Sequence, residues 1–371
     1  MPDSPGTRVV RAGLPKYGDE VPFLPGPTFA APYRLAGEID GRRYGYGRFA
    51  NPTWTAYEAA LGELEGGDAV CFSSGMAAIS AVLFSTLSSG DVLVAPSDGY
   101  PGVRELANGP LARLGVEARL VRSADDAYLD ALAGARLVLV ESPSNPRLDV
   151  LDLPAIAEAA HTQGALVAVD NTIITPLGQQ PLEAGADVSV SSATKHLCGH
   201  SDVVLGYAAA RDPDLVAGLL KWRGDAGAIP GPFETWLAHR SLATLDVRLA
   251  RQEENALALA GLLAFSDAVL DVRYPGLPSD PSYPRARERL ARFGSVVAFT
   301  LRDTPAVERF FAATHLVDEA TSFGGVHTTA ERRGRWGTDD VPDGFVRLSA
   351  GIEATADLVA DVGRGLEAAG S

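Results

Sequence analysis

From residue 49 to about residue 230, short uninterrupted apolar runs alternate with stretches of helical periodicity. The runs Ala69–Phe72, Val92–Ala95, Ala118–Val121, Leu137–Val140, Leu166–Val169 and Val188–Val190 predict strands, with helices such as Leu153–Gln163 between them. Strands that are apolar throughout are buried on both faces, so the alternation predicts a parallel or largely parallel sheet covered by helices. A long helical pattern, Pro232–Ala264, then leads to a second α/β unit with candidate strands Val296–Leu301 and Phe345–Leu348 and a closing helix Ala354–Ala368. The first ~48 residues are rich in Pro and Gly, including Pro22, Pro25, Gly26, Pro27 and Pro32, and predict an extended arm with no core of its own. The expected division is an arm over 1–48, a large sheet domain over 49–240 and a smaller C-terminal domain over 241–371. Four prolines make 275–284 a loop, and no internal repeat is evident.

The uncharged stretch Ala69–Gly90 is long enough to suggest a membrane span, but Ser73, Ser74, Gly75, Ser80, Ser85, Ser88 and Ser89 interrupt it. A strand, a tight loop and a buried helix fit it better. At 371 residues, with 46% hydrophobic and 21% charged, the chain has material for two domains and a substantial core. A net charge of −15 argues against nucleic acid or an anionic membrane as partner, because either needs an electropositive face. Cys71 and Cys198 are too few for a disulfide framework, and Met1–Gly13 lacks a basic stretch followed by an apolar core. Both features point to the cytoplasm.

The chemistry concentrates at Lys195, within Ser191-Ser192-Ala193-Thr194-Lys195-His196, behind the apolar segment Ala186–Val190 and 25 residues after Asp170. A lysine behind a strand among small hydroxyl residues can be desolvated enough to form a Schiff base. An aspartate at a neighbouring strand end can hold a pyridinium nitrogen, and the pair points to pyridoxal 5'-phosphate. Ser73-Ser74-Gly75-Met76, between a strand and a helix start, can aim the amides of Gly75 and Met76 at a phosphate.

The flanks make the reading specific. Ser192-Ala193-Thr194-Lys195-His196-Leu197-Cys198-Gly199-His200-Ser201-Asp202 resembles the lysine signature of the cysteine/methionine-metabolism enzymes: cystathionine γ-synthases, cystathionine γ- and β-lyases and methionine γ-lyases. Tyr46–Thr53, Ser73–Ala78, Glu141–Pro146 and Arg347–Glu353 match the same family in the same order. The resemblance implies the fold type I architecture of pyridoxal-phosphate transferases, like that of aspartate aminotransferase, and a homo-oligomer, a tetramer in the family, whose dimer forms the active site. It also implies that Ser192 and Thr194 assist the phosphate, that Tyr46 and Arg48 reach it from a neighbouring subunit, and that Tyr100 stacks on the cofactor ring and exchanges protons. Asn145 and Arg347 are expected to hold the substrate α-carboxylate, and Ser322 to orient the lysine.

Three departures bear on substrate. Relatives acting on cystathionine carry acids where this chain has Gly45 and His327, and methionine γ-lyases carry a cysteine where it has Gly102. His327 is either a replacement polar contact or a loop histidine. A dinucleotide fingerprint at Gly45–Ala50 is set aside because no strand precedes it. A metal site at His196, Cys198 and His200 is set aside for want of a fourth ligand. The expected activity is that of a cystathionine γ-lyase in transsulfuration, giving 2-oxobutanoate, ammonia and cysteine. The alternatives are γ-replacement on an O-acylhomoserine, methionine γ-elimination, an aminotransferase, or a catalytically silent relative that binds the cofactor.

Overall fold

The computed structural model describes residues 4–16 and 18–371. Seven strands form the first sheet: β1 (Asp68–Phe72), β2 (Val92–Pro96), β3 (Glu117–Val121), β4 (Leu137–Glu141), β5 (Leu166–Asp170), β6 (Val188–Ser191) and β7 (Gly206–Ala210), in the order β1-β7-β6-β5-β4-β2-β3. Only β7 runs against its neighbours; all the other pairings are parallel. The six strands expected from apolar runs are therefore present, five of them largely buried as a helix-covered sheet requires and the edge strand β3 only partly so. β7 escaped the sequence reading because Gly206-Tyr207-Ala208-Ala209-Ala210 lacks the β-branched residues that mark strands. Its small side chains fit where β1 and β6 close over it, with Tyr207, Ala208, Ala209 and Ala210 fully buried.

A second, smaller sheet holds β8 (Val269–Arg273), β9 (Val296–Leu301), β10 (Asp318–Glu319), β11 (Thr329–Arg332) and β12 (Phe345–Ser349), in the order β10-β11-β12-β9-β8. Leu259, Leu263, Phe299, Phe310, Val346 and Leu358 form its core beneath the helices Leu245–Ala264, Thr304–Ala313 and Thr355–Gly370. The expected single helix over Pro232–Ala264 is two, Pro232–Leu242 and Leu245–Ala264. The break is tertiary: the buried Arg248 guanidinium donates to the carbonyl of Ser241 and to those of His196 and Leu197, tying the turn to the lysine loop. The N-terminal region also differs from a wholly extended arm. Pro5–Arg11 is a helix that buries Val9 beside Trp54, Tyr57 and Leu245. Among the described residues, no helix is long and apolar enough to cross a membrane.

Candidate active site

The carboxyl ends of parallel strands converge, and the crevice beyond them is where such sheets bind ligands. Here β4, β5 and β6 end at Glu141, Asp170 and Ser191, and β1 feeds the helix Gly75–Thr86 through Ser73-Ser74. With Ser322, Glu331 and Arg347 from the second unit, these ends enclose a cleft of about 580 Å³. Gly75, Met76, Tyr100, Asn145, Asp170, Ser192, Thr194, Lys195, Ser322 and Arg347 all line it, as the sequence placed them. Tyr46 and Arg48 do not. Arg48 donates to the carbonyl of Gly224 at 2.6 Å and lies over the Phe49 ring at 4.5 Å, outside this chain's own cleft.

Lys195 Nζ donates to Ser322 Oγ at 2.6 Å. Burial, with the nearby Arg347 charge, lowers its pKa to about 8, against the pull of Glu331 and Asp170. Asp170 Oδ1 accepts from the amide of Thr172 at 3.0 Å and from its hydroxyl at 2.5 Å. Burial raises the Asp170 pKa, while the Thr172 hydrogen bonds and Lys195 pull it down. Its other oxygen has no partner among the described residues and is available to a cationic ring nitrogen.

The phosphate end is equally specific. Ser74 caps its helix by accepting from the Ala77 amide at 3.0 Å, and the amides of Gly75 and Met76 have no partner among the described residues. Two free amides at the positive end of a 12-residue helix suit a dianionic phosphate. Glycine at 75 is required by packing, because a Cβ there would stand 2.6 Å from Ser192 Cβ. Thr194 lines the cleft, but its hydroxyl both donates to and accepts from the backbone of Leu205. The donor set thus fits pyridoxal phosphate: helix amides for the phosphate, Asp170 for the ring nitrogen, Lys195 for the aldehyde and the Tyr100 ring at the cleft wall.

At the substrate end Arg347, on β12 and buried, donates to Asn145 Oδ1 at 2.6 Å, to the Ser322 carbonyl at 3.2 Å and to Glu331 Oε2 at 3.1 Å. Burial and Arg333 bring its pKa down to about 10. Glu331 sits opposite Arg347 in the β11–β12 ladder. Burial works against its charge, yet bonds from the Trp336 indole and Arg333, with the Arg347 charge, hold its carboxyl below the ordinary value. Ser322 takes a positive φ of 78°, which turns its hydroxyl to the lysine.

Sequence reading missed several contributors. Glu141, at the end of β4, accepts the Tyr100 amide through Oε2 at 2.7 Å. One buried acid thereby ties the Tyr100 loop to the end of β4, from which the chain runs on to Asn145. Glu331, Arg333 and Trp336 were also missed; the opposed charges of Glu331 and Arg347 in two strand-like segments were the available signal. His196 Nε2 bonds Ser295 Oγ at 2.7 Å and His200 Nδ1 the Cys198 carbonyl at 2.7 Å, so each ring has a structural partner. His327 is exposed and, like Gly45, lies outside the cleft lining.

Comparison with known proteins places the chain among relatives in cysteine and methionine metabolism. Residues 28–367 match the family model for Cys/Met metabolism PLP-dependent enzymes. A Streptomyces coelicolor protein provisionally named cystathionine gamma-lyase is 54% identical over 98% of this chain and 93% of its own length. The cystathionine gamma-synthase of Mycobacterium tuberculosis is 40% identical over 98% of this chain and 96% of its own. A crystal structure of the Xanthomonas oryzae pv. oryzae cystathionine gamma synthase in complex with cystathionine superposes with a TM-score of 0.95 at 37% identity, covering 100% of this chain and 99% of that one.

Proposed function

We propose that this chain, which belongs to the Cys/Met metabolism PLP-dependent enzyme family, catalyses γ-elimination from cystathionine: cystathionine and water give 2-oxobutanoate, ammonia and cysteine. The observation that carries the reading is that Lys195 Nζ, Asp170 and the Arg347–Asn145 pair open into one cleft. Pyridoxal phosphate, when bound, supplies the aldehyde that captures the substrate amine and the protonated ring that withdraws electrons from the α-carbon.

The protein's own groups do the rest. Arg347 and Asn145 receive the α-carboxylate, and the buried guanidinium is a permanent planar donor suited to that group. Once displaced, Lys195 has a pKa suited to taking protons near neutral pH, which qualifies it to remove one from the α-carbon and then one from the β-carbon. The departing thiolate takes a proton as the Cγ–S bond breaks. Ser322 holds Nζ, and Asp170, fixed by Thr172, would hold the ring nitrogen of the bound cofactor and keep it protonated. Tyr46 and Arg48 lie outside their own cleft, which supports their reaching the phosphate of a second copy in a dimer. Two free, buried thiols, Cys71 and Cys198, are in keeping with work in the reducing cytoplasm.

Incubating the purified protein with cystathionine, methionine and O-acylated homoserines, with and without cysteine, and identifying products tests the reading. Release of 2-oxobutanoate and cysteine from cystathionine is expected; formation of cystathionine from an O-acylhomoserine and cysteine, with no cleavage, would replace elimination by γ-replacement. Lys195→Ala should reduce turnover by about a thousandfold or more. Borohydride reduction and peptide mapping should find the cofactor joined to residue 195, and an unlabelled Lys195 would remove it from the central role.

A further inference from the structure

The charged side chains of the cleft wall are almost all taken. Arg347 pairs with Glu331 and Asn145, and Arg333 with Glu331 and Asp339. Glu141 accepts the Tyr100 amide, Asp170 is held by Thr172, and Lys195 bonds Ser322. The exception is Glu105. It lines the cleft, it is exposed, and among the described residues its carboxylate makes no hydrogen bond or ion pair.

Its placement is built. Glu105 stands on the short helix Pro101–Leu106 that follows Tyr100. Its neighbour Arg104 donates to the carbonyl of Gly99 and, at 2.5 Å, to that of Thr338, and Arg147 donates to the carbonyl of Asp340. These contacts pin the segment after β11 across the cleft, so that Trp336 and Thr338 line it together with Glu105. The mouth therefore offers a free carboxylate and an indole.

We propose that Glu105 receives the ammonium group at the far end of a thioether substrate, and that it selects leaving groups bearing an amine over leaving groups that bear an acid and no amine. The inference rests on the γ-elimination reading and specifies its substrate class. Cystathionine carries that second ammonium beside a second carboxylate; methionine and O-acetylhomoserine lack it; O-succinylhomoserine presents a carboxylate there with no ammonium and would be repelled. Gly45 and His327 offer no carboxylate, whereas Glu105 lines the cleft with one that is free among the described residues.

Glu105→Gln and Glu105→Lys test it, since an exposed position tolerates both. Binding is read by calorimetry on the cofactor-loaded Lys195→Ala protein, and turnover on the otherwise unaltered enzyme. Glu105→Gln should raise the Kd and KM for cystathionine about three- to tenfold with little change in kcat, leaving methionine and O-acetylhomoserine unmoved. Glu105→Lys should weaken cystathionine further and improve O-succinylhomoserine. Unchanged cystathionine binding, or an equal change for all the ligands, overturns the proposal. An enzyme that binds cystathionine through Glu105 without cleaving it would instead overturn the γ-elimination reading and leave the assignment of Glu105 intact.

Discussion

Burial acts in opposite directions on the two ionisable groups that face the catalytic loops. At Lys195 it lowers the pKa to about 8, helped by the Arg347 charge, so that a useful share of free amine exists near neutral pH. At Glu141 it raises the pKa from 4.5 to about 8, with Asp170 pushing the same way against the amides of Tyr100 and Asn145. A group with a raised folded-state pKa contributes stability that is complete below its unfolded value and lost as pH climbs through the folded one. Glu141 should accordingly cost the cofactor-free protein stability between about pH 4.5 and 8. Glu141→Gln, neutral throughout, should gain on the native protein by several degrees in Tm between those limits. Melting curves across the range check it; a constant difference between the two proteins would mean Glu141 is charged when folded. The same burial separates Lys195 from its neighbour His196, whose pKa falls to about 3 through burial and the Arg248 charge, leaving it a neutral packing residue. Lys195 was legible from its small hydroxyl neighbours. The role of Glu141 was not, because it depends on the Tyr100 amide brought to it from a separate loop.

The helix Gly75–Thr86 is the element on which cofactor affinity turns. Its start was readable from Ser-Ser-Gly-Met after an apolar run, a cap with a glycine where the chain must pass close to something. What it passes was not readable. A side chain on Gly75 would strike Ser192 at the end of β6, and one on Gly206 would meet the Ser74 carbonyl at the start of β7. Gly75→Ala must therefore displace the helix end from β6. The expected loss is about tenfold or more in cofactor affinity, with at most a modest change in thermal stability of the cofactor-free protein. Equilibrium dialysis of the cofactor against both proteins measures this, and unchanged affinity would remove the helix end from the phosphate site. The helix break at Leu242–Leu245 follows similar logic: its local pattern is helical throughout, and the Arg248 tie to the lysine loop decides where it turns.

At the scale of the whole molecule the cleft lies between the strand ends of the first sheet and residues of β11, β12 and the neighbouring loops of the second, and Tyr46 and Arg48 lie outside it. If those two residues complete the site of another copy, Lys195→Ala and Arg48→Ala proteins should complement each other. A mixed dimer holds one doubly altered site and one intact site, so unfolding and refolding an equal mixture should recover about a quarter of the native activity. Activity no higher than the sum of the two variants alone would place Arg48 in a role within its own chain.

The order of apolar runs and the local motifs around Lys195, Gly75 and Asp170 determined the sheet, the cofactor and the type of chemistry, because each depends on residues near one another in the chain. Tertiary structure decided the rest: β7, built of residues with little strand preference of their own; the pairing of Arg347 with Glu331 and Asn145, set by the β11–β12 register and the meeting of two units; and which carboxylate in the cleft is left without a partner. Contacts between residues distant in sequence leave no periodic trace, so charge pairing, and with it substrate choice, becomes visible only when the chain is folded.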